Sequence, residues 1–197
     1  MTPYFENHSA GGLFVLALVC LFGGEFVQLL RQLRWRNDAT RVGPSSFWVG
    51  VGVWVVVATV ILHRAGSYWP GATIGDGAFV FGIGMVLLAA GVGLRWSSFW
   101  ALGQYFTFTV EVSPEQQIIT AGPYRLLRHP GYAGGLLAMI GIGVIYSNWI
   151  GLAVISLSSL AITVWRIHIE EAALLGTAGD PYRHYAEHHK RLMPLIW

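Results

Sequence analysis

The chain reads as an all-α integral membrane protein of five transmembrane helices, the last two forming a short helical hairpin, with small elements on the cytoplasmic side. Three observations predict that class. The 197 residues are 54% hydrophobic and 11% charged, with a mean hydropathy of +0.54, more apolar than an ordinary soluble domain of this length. The apolar residues gather into windows near the roughly 20 helical residues that cross a hydrocarbon core of about 30 Å. The basic residues collect in alternate connections, the pattern that orients multi-pass proteins.

The first window, residues 11–30, is interrupted only by Glu25 near its end. It has neither a basic leading segment nor a convincing small-residue cleavage site, so a retained helix is expected rather than a signal peptide. Windows 47–62 and 78–94 follow. Windows 132–146 and 149–165 are shorter and nearly continuous. One helix across both would overshoot the membrane, so Ser147-Asn148 is expected to turn the chain back in a tight hairpin. The connection 95–119 passes from an expected belt of Trp96, Trp100, Tyr105 and Phe106 into an alternating stretch, 106–112. That alternation predicts a short strand, with 116–120 as its hairpin partner. Residues 167–175 continue the fifth helix beyond the membrane and 176–181 end it. A last short helix over 181–190 places Tyr182 and Tyr185 on one face. No repeat or linker divides the chain, so 1–197 is one domain, with three spans in 1–94 and the remaining elements in 95–197.

Of the twelve Lys and Arg residues, all but Arg64 lie in the connections after spans one, three and five. This bias puts the N-terminus outside and the C-terminus in the cytoplasm. A net charge of only +2 leaves no polybasic surface for nucleic acid. Cys20 is the single cysteine, which excludes an intramolecular disulfide, and its apolar run predicts a small buried hydrophobe.

Two polar clusters flank the fourth and fifth windows and share the cytoplasmic face. The first is GPYRLLRHPGYAG at 122–134. Pro123 and Pro130 each suit the first turn of a helix, whose unpaired amides favour an anion, and Arg125, Arg128 and His129 add cationic donors. Gly131, Gly134 and Gly135 admit close approach by a ligand or a neighbouring helix. An anion-binding site and a positive anchor followed by a glycine packing seam are both consistent with the spacing. The second cluster is RIHIEE at 166–171. Arg166 and Glu170 share a helical face, whereas Glu171 points about 100° away from Glu170. A carboxylate suits ribose hydroxyls or a cationic amine, Arg166 suits an anion on an amphiphile, and an interfacial ion pair is the plainer alternative. Glu25 is expected to snorkel or to pair with an arginine. Gly82, Gly84, Gly91 and Gly93 read as packing points in span three. His184, His188 and His189 lack a completing ligand set, so no metal is expected.

The second half of the chain, from Arg95 to Trp197, resembles the isoprenylcysteine carboxyl methyltransferase family, short prokaryotic members included. The resemblance is carried by LGQYFT at 102–107, GPYRLLRHPGYAG, RIHIEE, and the terminal tyrosines with RLMPLIW. It implies S-adenosylmethionine as cofactor, held by Pro123, Tyr124, Arg128, His129, Tyr132, Gly134, Glu170, Glu171 and Tyr185, so that the cytoplasmic elements are cofactor-binding. It also implies catalytic roles for Arg166 and Glu170, with Arg166 near the methyl-accepting carboxylate of a prenylated cysteine or similar lipophilic substrate. Two departures from the family pattern, Gly131 after His-Pro and Gly179-Asp180-Pro181 before Tyr182, affect the geometry expected of a cofactor lid. Phospholipid N-methyltransferases and small-thiol methyltransferases share these elements. A sterol-type reductase using NADPH is the next alternative, against which the Glu170-Glu171 pair argues because a dinucleotide phosphate calls for cations there. A non-enzymatic lipid-binding scaffold is another. Membrane lipids are expected neighbours, and a prokaryotic chain would reside in the cell membrane.

Overall fold

The computed structural model describes residues 4–6, 8–34, 40–42, 47–75, 77–103, 110–112 and 118–194. Among these, six α-helices follow in order: α1 His8–Arg34, α2 Phe47–Tyr68, α3 Ala78–Leu102, α4 Pro130–Ile145, α5 Trp149–Ala178 and α6 Asp180–His188. The strands β1 Thr40–Val42 and β2 Val110–Val112 pair antiparallel, and a 3-10 turn, Gly122–Arg125, precedes α4. The protein is nearly all helical. Among the described residues, three segments are long and apolar enough to cross a membrane, His8–Gln28, Ala78–Leu102 and Trp149–Ala178, while α4 is a shorter apolar helix. Val15, Leu16, Val19, Val86 and Leu157 stand exposed on these helices, a surface that a bilayer, not water, would cover.

The closest packing joins α3 to α4, and glycine makes it possible. Gly84 and Gly91 on α3, seven residues apart, meet Gly141 and Gly134 on α4, also seven apart. Two helical turns keep each pair on one face, and the pairing order makes the helices antiparallel. A Cβ at Gly91 would lie 2.5 Å from the Ala138 nitrogen, and one at Gly134 would lie 2.7 Å from the Arg95 nitrogen. The backbones therefore touch without side chains between them. Gly82 and Gly93, on other faces of α3, would meet nothing within 4 Å, so only half of the expected glycine points pack. Leu88, Ala138, Ile142, Ile145 and Ile155 fill the core around this seam, joined by Phe14 and Leu21 from α1 and Leu62 from α2.

Between α4 and α5 lies a three-residue connection, and Asn148 fixes it. The buried Asn148 side chain accepts hydrogen bonds from the amides of Ile150 and Gly151, capping α5, and donates to the carbonyls of Ala65 and Trp69. It thus closes two orphan amides and ties the turn to the end of α2. α5 packs back on α4, where a Cβ at Gly143 would meet Leu152 and Ile155.

Several expectations are corrected. The strand 106–112 is described only at Val110–Val112, and its partner is β1 from the connection after α1, not 116–120; the described part of that segment, 118–120, has no strand. The two strands come together beside α5, which supplies the surface that a hairpin alone lacks. α3 continues eight residues past its window because nothing stops it before Gly103, whose φ of +53° ends the helix in the left-handed region. Gly179, at φ +58°, ends α5. Cys20 is exposed, not buried, on the same outward surface as Leu16 and Val19. Trp100 is exposed as a belt residue would be, but Trp96 also closes on Gly24 of α1. Tyr105 and Phe106 lie outside the described residues.

Candidate functional site at the end of α5

The fold brings the two polar clusters together. α4 begins at Pro130, with His129 as its N-cap residue, and Tyr132 follows in its first turn. Across from it, α5 presents Arg166, Glu170 and Glu171. A third element closes the group: after α6 the chain runs beside residues 127–129, with the amide of Arg128 donating to the Lys190 carbonyl at 2.7 Å and that of His129 to the Arg191 carbonyl at 3.0 Å.

The two adjacent carboxylates have different surroundings, as their angular separation predicts. The Glu171 side chain is 8% exposed and Glu170 32%. Glu171 accepts from Arg128 Nη1 at 2.7 Å and from Arg191 Nε at 2.9 Å and Nη2 at 2.8 Å, with His129 Nε2 at 3.2 Å. The anion that the basic segment was expected to attract is thus supplied by the protein itself. Three elements converge on one buried carboxylate, which is strongly stabilising only while its cationic partners remain. Glu170 is more open. It accepts from the Tyr132 hydroxyl at 2.8 Å, and Arg166 Nε donates to the same hydroxyl oxygen at 3.3 Å. The expected Arg166–Glu170 relation therefore runs through Tyr132, and Arg166 itself is buried.

Tyr124 and Tyr185 build the next layer. The Tyr185 hydroxyl donates to the carbonyls of Tyr124 at 2.8 Å and Leu127 at 3.3 Å, so α6 grips the segment that carries Pro123 and Arg128. The Pro123 carbonyl accepts from the amides of Leu126 and Leu127, closing the 3-10 turn. Burial raises the Tyr185 phenol to about 12 and, with the nearby Glu170 carboxylate, holds Tyr124 well above its usual value. Both remain neutral hydrogen-bonding groups at physiological pH. Tyr182 is also buried. Its hydroxyl and Arg128 Nε, which lie near each other, are buried polar atoms without a hydrogen-bond partner among the described residues.

Gly134 does not face this group: the α3 backbone occupies the space where a ligand was expected, and Gly131 and Gly135 lie against Ser98 and Arg95. Arg125 is exposed. Arg191 and Tyr182 were missed as contributors by sequence reasoning. Arg191 was legible only as part of the terminal RLMPLIW element, and Tyr182 only as the face-mate of Tyr185. On the outer side of Tyr185, an open pocket of about 280 Å³ is bounded by Ile118, Thr120, Pro181, His184, His188 and His189; none of its walls belongs to the carboxylate group. Glu187 provides the carboxylate missing from the histidine tail, since its oxygen and the ring nitrogens of His184 and His188 lie within 4.8 Å of one another, all on exposed residues.

Comparisons with known proteins bear on this arrangement. The family described as phospholipid methyltransferase matches residues 79–177, from α3 to the end of α5. A probable protein-S-isoprenylcysteine O-methyltransferase of Oryza sativa subsp. indica is 28% identical over 186 residues, 93% of this chain and 95% of the relative. Protein-S-isoprenylcysteine O-methyltransferase A of Arabidopsis thaliana is 30% identical over 125 residues, 60% of this chain and 61% of the relative. Among solved structures, the eukaryotic intramembrane Ras methyltransferase, an isoprenylcysteine carboxyl methyltransferase, superposes with a TM-score of 0.64 at 25% identity, covering 79% of this chain and 55% of that one. The chain thus spans just over half the length of that solved relative. With half of its length matched, including both clusters of the site, the chain belongs to the phospholipid methyltransferase family.

Proposed function

We propose that the protein is an S-adenosylmethionine-dependent membrane methyltransferase acting on the C-terminal carboxylate of a prenylated cysteine or a similar lipophilic acid. The observation that carries this reading is the meeting of the Glu170, Glu171 and His129 group with buried Arg166 at the end of an apolar helix. A polar donor and an amphiphilic acceptor can both reach such a place. The names of the Oryza and Arabidopsis relatives support the acceptor class.

The residues present fit the cofactor. Glu170, one-third exposed, suits ribose hydroxyls or an ammonium group, and the unpartnered Arg128 Nε and Tyr182 hydroxyl suit an oxygen-rich or carboxylate end. When bound, the cofactor supplies a methyl group on a positively charged sulfur. Glu171 draws Arg128, His129 and Arg191 into fixed positions around the site. Pro123, Tyr124 and Tyr185 shape its wall, and Tyr132 orients Glu170 and Arg166. Arg166 positions the acceptor carboxylate, which is already ionised near neutral pH, so no general base is required. A tighter ion pair would lower the nucleophilicity of that oxygen, so its role is positioning.

We further infer five membrane crossings with the N-terminus outside, α4 and α5 forming a hairpin. The Glu25–Arg95 pair supports it by joining the ends of α1 and α3 expected on one side. α4, at 16 residues, extends about 24 Å, short of a hydrocarbon core of about 30 Å, so its crossing calls for local thinning of the bilayer.

The family description favours a second reading, methylation of a phospholipid amine. Purified protein in nanodiscs, supplied with methyl-labelled S-adenosylmethionine, would be offered a farnesylcysteine acid and phosphatidylethanolamine separately. Label on the farnesylcysteine supports the proposal; label confined to the phospholipid supports the second reading; label on neither refutes both.

A further inference from the structure

Outside the carboxylate group, one ionic device in the apolar part of the fold has no assigned role. Arg95, near the end of α3, forms a two-point ion pair with Glu25 of α1: Nε bonds Glu25 Oε1, and Nη2 lies 2.9 Å from Oε2. Both side chains are mostly buried, at 17% and 24% exposure. The third guanidinium nitrogen, Nη1, donates at 2.8 Å to the carbonyl of Gly131 in the first turn of α4. Phe99 stacks beneath the guanidinium, 4.9 Å from ring centroid to Cζ. Gly134 lets the α3 backbone at Arg95 lie against α4, since a Cβ there would lie 2.7 Å from the Arg95 nitrogen, and the guanidinium runs along Gly135, where a Cβ would sit in ordinary contact, 3.4 Å from Nη1.

Gly131 stands between His129 and Tyr132, whose side chains meet Glu171 and Glu170. We propose that Arg95, aligned by Glu25, is a positioning residue of the methyl-transfer site, fixing the first turn of α4 so that His129 and Tyr132 face the two carboxylates together. This rests on the function proposed above. Arg95 touches neither carboxylate among its hydrogen bonds, so it acts through Gly131. The geometry needs a planar fork with donors in three directions, which the point charge of lysine does not reproduce. An acidic and a basic group inside a span are costly unless paired, and the pairing here uses Nε and Nη2 while Nη1 holds α4.

A purely structural ion pair predicts a different outcome, and a variant set separates the two. Removing both charges together, Glu25→Leu with Arg95→Met, leaves no unpaired ion and restores stability if the pair only joins α1 to α3. The proposal expects this double variant to fold with near wild-type thermal stability, yet to lose at least tenfold in turnover and in S-adenosylhomocysteine affinity, since displacement of about 1 Å at a site costs on the order of 100-fold. Arg95→Lys, which keeps the charge, is expected to bind S-adenosylhomocysteine at least fivefold more weakly while retaining its KM for the lipophilic acceptor. Wild-type turnover and affinity in either folded variant would overturn the proposal. Failure of the functional reading is distinguishable, because it appears as absence of methyl transfer in the wild-type protein. Weakened binding in Arg95→Lys alone then still supports the positioning role.

Discussion

Exchanging each adjacent carboxylate for its amide should separate scaffold from ligand contact. In Glu171→Gln, one of the two oxygens becomes an NH2 group facing the donors of Arg128, His129 and Arg191. Hydrogen bonds to charged groups contribute about 1.5–3 kcal/mol each, and removing one partner of a buried ion pair costs about 3–5 kcal/mol. Glutamine keeps one acceptor, so a loss of about 3 kcal/mol is expected, with the segment 127–129 and the strand-like run after α6 coming apart first. Glu170→Gln differs. Its side chain is 32% exposed and, among the described residues, accepts one hydrogen bond, from Tyr132, so its stability loss should stay under about 1 kcal/mol. Its S-adenosylhomocysteine affinity should nevertheless fall about tenfold or more, since about 1.4 kcal/mol of lost contact is a factor of ten. Denaturant unfolding in a fixed detergent, paired with calorimetric titration of S-adenosylhomocysteine, measures both effects. The reasoning is refuted if Glu171→Gln unfolds within 0.5 kcal/mol of wild type (a margin of about the scatter of neutral substitutions), or if Glu170→Gln destabilises more than Glu171→Gln.

Packing makes a second prediction: Gly134→Ala, whose Cβ would lie 2.7 Å from Arg95 and Gly91 backbone atoms, should cost about 1–3 kcal/mol, whereas Gly93→Ala, in open space, should be neutral or up to about 1 kcal/mol stabilising; thermal unfolding of both reads this out. Tyr185→Phe removes the hydroxyl that holds Tyr124 and Leu127 and should increase hydrogen exchange across 122–129, with a stability loss of about 1–2 kcal/mol. The same substitution has a pH signature. Because burial raises Tyr185 to about 12, the unfolded chain loses this proton first, so wild-type stability should fall between about pH 10 and 12 more steeply than that of Tyr185→Phe. For topology, a Cys20→Ser background carrying Arg64→Cys should react with an impermeant maleimide from outside the cell, and one carrying Glu187→Cys only after the membrane is opened; the reverse pattern overturns the orientation.

How much was legible beforehand follows from the range over which each signal acts. Apolar windows and Pro and Gly punctuation are local, so the helices and the starts at Pro123 and Pro130 could be read from the chain. The separation of Glu170 from Glu171 followed from helical periodicity alone. What was not legible depends on distant partners. β2 could be anticipated but not β1 as its mate, since pairing across such a sequence separation has no local code. The cations at 122–129 promised an anion, but nothing in the spacing showed that Glu171 would supply it or that Arg191 would join. Gly134 carried one signal, absence of a side chain, that serves a helix as well as a ligand, and the α3 backbone took the space. Glu25 was expected to snorkel or pair, and the pairing with Arg95 emerged only when α1, α3 and α4 were placed together.

Alkaline treatment of the labelled product tests the central claim most directly. Wild-type protein in nanodiscs is incubated with methyl-labelled S-adenosylmethionine and farnesylcysteine, and the product is hydrolysed in base. Carboxyl methylation predicts that the label is released as volatile methanol, and that Arg166→Gln lowers this release at least tenfold while S-adenosylhomocysteine still binds. Label that survives base on nitrogen or sulfur, or methanol release undiminished in Arg166→Gln, would contradict the account.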